Sequence, residues 1–274
     1  MEEIRNAVES MDKKNAPEED GITGEIYEET FETFPRFITA MYNGCYKVHF
    51  SKRWKRAKLI PIVKPEKENS EDVLKYRSLS ILNFVGRGLE VIPINIINHH
   101  VYSTDFMNNY LYGFTQKKSS KDAANAVKGF VEEGLKAGRV LVLVSLDVKG
   151  DFDAAWWPSI LKSLQACGCP KHLYNITRSY FSQRTVILST DSVRMKTEVG
   201  SGTPQVYCCD PGLWNIQYNS LLNLTFTRRT KAVAFADDLI LVIGGKRVSK
   251  VETITNLEMS KITAWAKSNK INFG

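Results

Sequence analysis

Three aspartates carry the chemistry that this sequence offers. Asp147 follows the aliphatic run Val140-Leu-Val-Leu-Val144, and Asp237-Asp238 separate the apolar runs Val233-Ala-Phe235 and Leu239-Ile-Leu-Val-Ile243. An unpaired carboxylate in an apolar interior costs several kcal/mol, roughly, after relaxation. Two such sites, roughly ninety residues apart in the chain, make physical sense if they converge and share cations, because divalent ions take hard oxygen donors. Two magnesium ions on carboxylates of adjacent strands are a device for in-line phosphoryl transfer: one activates a 3′-hydroxyl and the other stabilises a leaving pyrophosphate. Taken singly, each site has a plainer reading. Asp147 suits a strand-end turn cap, and adjacent aspartates suit a hairpin turn.

The elements that must position these residues can be read from periodicity. Val140–Val144 is continuous and β-branched, which predicts a buried strand ending at Asp147. The two runs around Asp237-Asp238 predict strands hinged on Ala236-Asp237. Helices are expected where apolar residues recur every three or four positions: Ile4 to Met11, about 25–46, 119–137, from Pro158 through Leu164, 213–224 and 249–269. From Leu79 to His99 the helical tendency is interrupted by Gly86, Gly88 and Pro93. Residues 184–199 read as a hairpin, and Leu59–Val63, with Pro61 inside it, as an edge strand. The sum is a mixed α+β fold with the acids at strand ends.

Composition narrows the partners. The chain has 274 residues, 43% hydrophobic and 24% charged, and a formal net charge of +7. Residues 1–40 hold eleven acids against four bases, so residues 41–274 hold 33 bases against 19 acids. A basic body suits a polyanion, although charge alone also fits a soluble surface. The cluster Lys52, Arg53, Trp54, Lys55 and Arg56 fits an RNA backbone with an aromatic platform, or equally an exposed basic helix with one packed Trp. The acidic start does not suit a secretory signal, no run is apolar enough to span a bilayer, and the five cysteines lack zinc or disulfide spacing. A reduced intracellular chain without membrane contact is expected.

Ser145-Leu-Asp-Val-Lys-Gly-Asp-Phe-Asp153 resembles the first palm motif of reverse transcriptases of the non-LTR (LINE-type) retrotransposons. Phe235-Ala-Asp-Asp238 resembles their Tyr/Phe-x-Asp-Asp motif. Gly202-Thr-Pro-Gln205, with Pro211 and Trp214-Asn-Ile216 after it, resembles the motif between the two. Upstream, Ala16-Pro17, Asp20-Gly-Ile22, Trp54, Pro61-Ile-Val-Lys64, Tyr76-Arg77, Leu79-Ser80 and Tyr112-Gly-Phe114 match the family's N-terminal and fingers motifs in order. The resemblance covers nearly the whole chain. It implies a right-hand polymerase fold, with an N-terminal extension over 1–45, fingers over 46–139 and palm over 140–274, in one reverse transcriptase domain without its thumb.

By the same resemblance the chain adds dNTPs to a DNA primer on an RNA template, with two Mg²⁺ ions, and its place in the cell is the nucleus. Asp147, Asp237 and Asp238 are then the catalytic triad, and the metal ligands are these three with Val148. Phe152 excludes a 2′-hydroxyl, Lys64 and Arg77 meet the incoming triphosphate, and Gln205 lies against the nascent base pair. An arginine suits phosphate through charge-assisted, often bidentate bonds. Their plainer readings are solvated bases and, for Phe152, a core aromatic.

Several positions depart from the family pattern. Val206 and Tyr207 stand where it has glycine and a small residue, Asp151 where it has alanine, and Asp210 where it has a small side chain. Ser78 replaces a proline, Leu111 a polar residue and Glu18 a glycine. These substitutions support an alternative: a catalytically inactive, nucleic-acid-binding remnant of a decayed retrotransposon copy.

Overall fold

The computed structural model describes residues 1–13, 17, 20–48, 50–63, 76–150, 154–189, 194–202 and 210–274. In chain order its elements are α1 (Glu2–Glu9), α2 (Gly24–Thr33), α3 (Pro35–Val48), a 3₁₀ turn (Lys52–Lys55), β1 (Arg56–Val63), β2 (Tyr76–Ile81), α4 (Phe84–Ser103), α5 (Ser120–Lys136), β3 (Val140–Leu146), α6 (Trp157–Ala166), α7 (Lys171–Phe181), β4 (Arg184–Ser189), β5 (Arg194–Val199), α8 (Asp210–Leu222), β6 (Thr230–Phe235), β7 (Asp238–Gly245) and α9 (Val248–Asn269). The chain divides into two compact units, Met1–His100 with Gly168–Asp210, and Val101–Cys167 with Pro211–Gly274. Both units return to a part of the chain distant in sequence.

The first unit holds a four-stranded sheet in the order β2-β1-β4-β5. The proline of β1 suggests an edge strand, yet β1 is internal. It pairs in parallel with β4 from Arg56 to Leu59, and antiparallel with β2 from Lys58 to Val63. Pro61 sits beyond the last β4 pair, where a missing N–H removes no ladder bond on that side. The helix over Phe84–Ser103 likewise runs through the expected break at Pro93. Leu89, Ile92, Ile94 and Ile97 are all buried, so burial on several sides outweighs the lost bond, which costs about 3 kcal/mol in an isolated helix. Gly88 has a packing reason: a Cβ there would lie 2.4 Å from the Tyr42 hydroxyl, which hydrogen-bonds with the Tyr27 hydroxyl and lies 2.8 Å from the Val85 carbonyl.

The second unit holds a three-stranded antiparallel sheet in the order β3-β7-β6, on which α5 and α9 pack. Here β3 departs from expectation. It is an edge strand, and Val142 and Leu143 are 37% and 54% exposed. A continuous aliphatic run predicts burial on both faces, but in this sheet it is the central strand β7, with the middle of β6 (Ala232, Val233 and Ala234), that receives it. The β7 residues Leu239, Leu241, Val242 and Ile243 are buried.

Candidate active site

The acidic turn is built by β6 and β7. Their ladder closes on the pair Phe235 and Asp238, leaving Ala236-Asp237 as a two-residue connection. Ala236 has φ +56°, a left-handed conformation that costs an L-residue roughly 1–2 kcal/mol. Ala236→Gly is therefore expected to stabilise the chain by about 0.5–1 kcal/mol, read as a higher urea midpoint at an unchanged m-value.

The third aspartate arrives by register. β3 and β7 pair from Val140 with Gly245 to Leu146 with Leu239. The next pair in that register is Asp147 and Asp238, which an antiparallel ladder sets about 4.5–5.5 Å apart at Cα. The far side of Asp147 is also tied down. Its carbonyl accepts from the Gly274 N–H at 2.7 Å, Lys149 N–H donates to the Asn272 carbonyl at 2.8 Å, and Val148 bridges Phe273. Asp147 and Asp238 are exposed, Asp237 is half-exposed, and Val148 is buried. The carboxylates thus stand at the solvent rim of a buried base, and the desolvation cost suggested by their apolar flanks does not arise.

Four residues outside the aspartates hold this arrangement, and sequence reasoning did not assign them that task. From α8, Trp214 Nε1 donates to the Ala236 carbonyl at 3.1 Å and the Tyr218 hydroxyl to the Asp237 carbonyl at 3.0 Å. Their rings stack at 5.2 Å, four residues apart and so on one helical face. Asn215 Nδ2 donates to the Gly113 carbonyl at 2.8 Å. Gly113 follows a short stretch paired with β6: Tyr112 N–H donates to the Ala234 carbonyl and Ala234 N–H to the Tyr110 carbonyl, both at 2.9 Å. A Cβ on Gly113 would fall 2.0 Å from the Ala236 nitrogen. The available signals were the Tyr112-Gly-Phe114 and Trp214-Asn-Ile216 motifs, with Tyr218 one helical turn further.

The electrostatics tie the three acids to one point. Burial raises the Tyr218 phenol above the usual tyrosine range, and Asp237, Asp238 and Asp147, in that order, raise it further. All three carboxylates therefore act on one buried hydroxyl. Among the described residues no three Asp, Glu, His or Cys side chains close on one another tightly enough to hold a metal ion. The donor set is nevertheless all oxygen, as Mg²⁺ requires.

The other expected site residues are placed less fully. Lys64, Phe152 and Gln205 lie outside the described residues, as do Asp151, Val206 and Tyr207. Arg77 lies on β2 opposite Ile62. In the basic segment Lys52, Arg53 and Arg56 are exposed and Trp54 is half-buried, but Lys55 is buried and donates to Ser182 Oγ at 3.2 Å. Lys55 therefore does not join its neighbours as a solvent-facing phosphate contact. Leu111, an apolar residue where the family has a polar one, is fully buried beside Ala234, so that substitution suits its surroundings.

Residues 64–273 match the family model described as "Reverse transcriptase (RNA-dependent DNA polymerase)". The chain belongs to the reverse transcriptase family. Its relatives include the "Retrovirus-related Pol polyprotein from type-1 retrotransposable element R1" of Bradysia coprophila, 26% identical over 268 residues, 97% of this chain and 26% of that protein. The "RNA-directed DNA polymerase from mobile element jockey" of Drosophila melanogaster is 26% identical over 218 residues, 79% of this chain and 24% of that protein. Both relatives are of the non-LTR retrotransposon kind. This reverse transcriptase chain spans about a quarter of the length of these curated relatives. The fold is shared with a solved apo telomerase from Candida tropicalis, truncated from its C-terminal domain, with TM-score 0.56 at 12% identity over 87% of this chain and 52% of that one. The mixed α+β architecture is thus that of a right-hand polymerase. No described helix is long and apolar enough to cross a membrane.

Proposed function

We propose that this reverse transcriptase domain extends a DNA primer on an RNA template, with Asp147, Asp237 and Asp238 as its catalytic carboxylates and the unit that carries them as the palm. The observation that carries the reading is the register that sets Asp147 opposite Asp238, beside a turn bearing Asp237. Two bound Mg²⁺ ions would supply activation of the primer 3′-hydroxyl and neutralisation of the pyrophosphate leaving group. Asp147, Asp237 and Asp238, with the Val148 carbonyl, would hold them. The protein's own contribution is positioning. Trp214 and Tyr218 fix the two turn carbonyls, so the carboxylates that would hold the cations keep one backbone frame. The roles of Lys64, Arg77, Phe152 and Gln205 toward the nucleotide follow from the family resemblance.

The test is primer extension on poly(rA)/oligo(dT) with Mg²⁺, comparing the chain with its Asp237→Ala, Asp238→Ala variant. Incorporation is expected to fall about 10²- to 10³-fold or more, as when a transition-state electrostatic interaction is removed. Equal incorporation by both proteins would dismiss these aspartates as catalytic. Salt-sensitive RNA binding with no incorporation by either would assign the chain to a binding remnant.

A further inference from the structure

The three aspartates occupy one end of the β3-β7-β6 sheet, and the other end carries the opposite charge. Arg139 precedes β3, Lys246-Arg247 follow β7, Arg228-Arg229 precede β6, and Lys250 lies in the first turn of α9. The ladder brings these segments together. Val140 pairs with Gly245, Thr230 pairs with Ile243, and Gly244 N–H donates to the Arg229 carbonyl at 2.9 Å. Arg139 lies against Gly244: a Cβ there would be in ordinary contact with Arg139 Cδ, at 3.4 Å.

Five of the six bases are exposed and Arg139 is half-buried. Among the described residues none of the six has an ion pair or a side-chain hydrogen bond. Some exposed bases elsewhere are paired, Lys13 with Glu28 and Lys128 with Glu132. Like charges gathered without counter-charges repel, so this cluster contributes nothing to folding stability that would account for it. Four of the six are arginines, whose planar fork grips phosphate oxygens in pairs.

We infer that this end of the sheet is a second nucleic-acid surface, which takes the phosphodiester backbone of a strand apart from the catalytic carboxylates. The inference extends the polymerase reading. One rigid strand of seven residues separates the two ends, about 23 Å at the usual rise. A template or product longer than that reaches from one end to the other, and bases at the far end hold it without touching the reacting atoms. An acidic protein segment would meet the same charge, but the exposed apolar residues beside these bases are the valines Val140 and Val248, not the aromatic anchors typical of protein interfaces, so fork-shaped donors suit phosphates better.

The test is fluorescence anisotropy on the whole chain without Mg²⁺ or nucleotide, so it reads binding whether or not the chain polymerises. The probes are a labelled 20-nucleotide single-stranded RNA and a DNA duplex of equal length. Arg228→Ala, Arg229→Ala, Lys246→Ala and Arg247→Ala are combined in one variant. A control variant removes four exposed bases elsewhere in the same unit: Lys117, Lys121, Lys128 and Lys162. The sheet-end variant is expected to lose at least about tenfold in affinity. Its RNA salt slope should become shallower by about 0.7 for each phosphate that is no longer neutralised, with an unchanged urea midpoint. A loss confined to RNA or to the duplex supports the surface and names its source. A loss no greater than the control's, or loss of polyglutamate binding with RNA binding intact, overturns it.

Discussion

Gly113→Ala is expected to destabilise this protein by about 3 kcal/mol or more, the upper end for overpacking, and to displace the acidic turn. The added Cβ would fall 2.0 Å from the Ala236 nitrogen and 2.6 Å from its Cα. Both are backbone atoms, so no side-chain rotation relieves the clash. The segment cannot simply retreat, because Tyr112 is bonded to Ala234 and the Gly113 carbonyl to Asn215. What moves is the Ala236-Asp237 connection, and with it the frame that sets Asp238 opposite Asp147. Gly129→Ala is the matched control: that glycine lies in α5 with nothing within 4 Å of an added Cβ. There alanine should stabilise by about 0.5–1 kcal/mol through helix propensity. Urea unfolding of both variants checks the pair. Equal midpoints would mean that the close approach at Gly113 does not constrain the turn.

The contrast between these two glycines shows what a sequence can and cannot express. Helix spacing and the Ala236-Asp237 hinge are local patterns, and they read correctly because local backbone preference agrees with the final fold. Pro61 misleads because its meaning depends on which neighbour a strand has at that residue, and β4 stops pairing two residues before it. The run Val140–Val144 misleads for the same reason: aliphatic content does not say whether a strand is central or at an edge. Gly113 and Tyr218 acquire their roles from partners more than a hundred and about twenty residues away, respectively, so no local window shows them. The family motifs pointed at their neighbourhood without giving the physical reason. The same holds for Lys55, whose sequence neighbours are bases at the surface and whose spatial neighbours are Ser182 and Arg184.

That last site carries the second large effect. Arg184 and Glu90 form an ion pair at 3.7 Å with both side chains buried, and the Arg184 guanidinium also lies 4.1 Å over the Tyr180 ring. Among the described residues of this unit, Glu90 is the one buried acid beside the buried bases Lys55, Arg87 and Arg184. Glu90→Gln keeps the shape and removes the counter-charge. It should cost about 3 kcal/mol, the lower end for breaking a buried pair, seen as a lower urea midpoint at constant m.

Lys55 adds a pH signature to this site. Burial first, then Arg184 and Lys52, lower its ammonium to about 8, against an ordinary lysine near 10.4. Below pH 8 both folded and unfolded chains carry the proton, and the full cost of the buried charge is present. Between about pH 8 and its ordinary value the unfolded chain binds more protons, so the contribution of Lys55 to stability rises with pH. Lys55→Met should flatten that rise and stabilise the chain at pH 7. It should also recover part of the Glu90→Gln loss, because with one cation gone the orphaned Arg184 faces less repulsion. Strict additivity of the two substitutions would show that Lys55 and the Arg184–Glu90 pair are energetically separate, and the shared-charge account of this core would then fail.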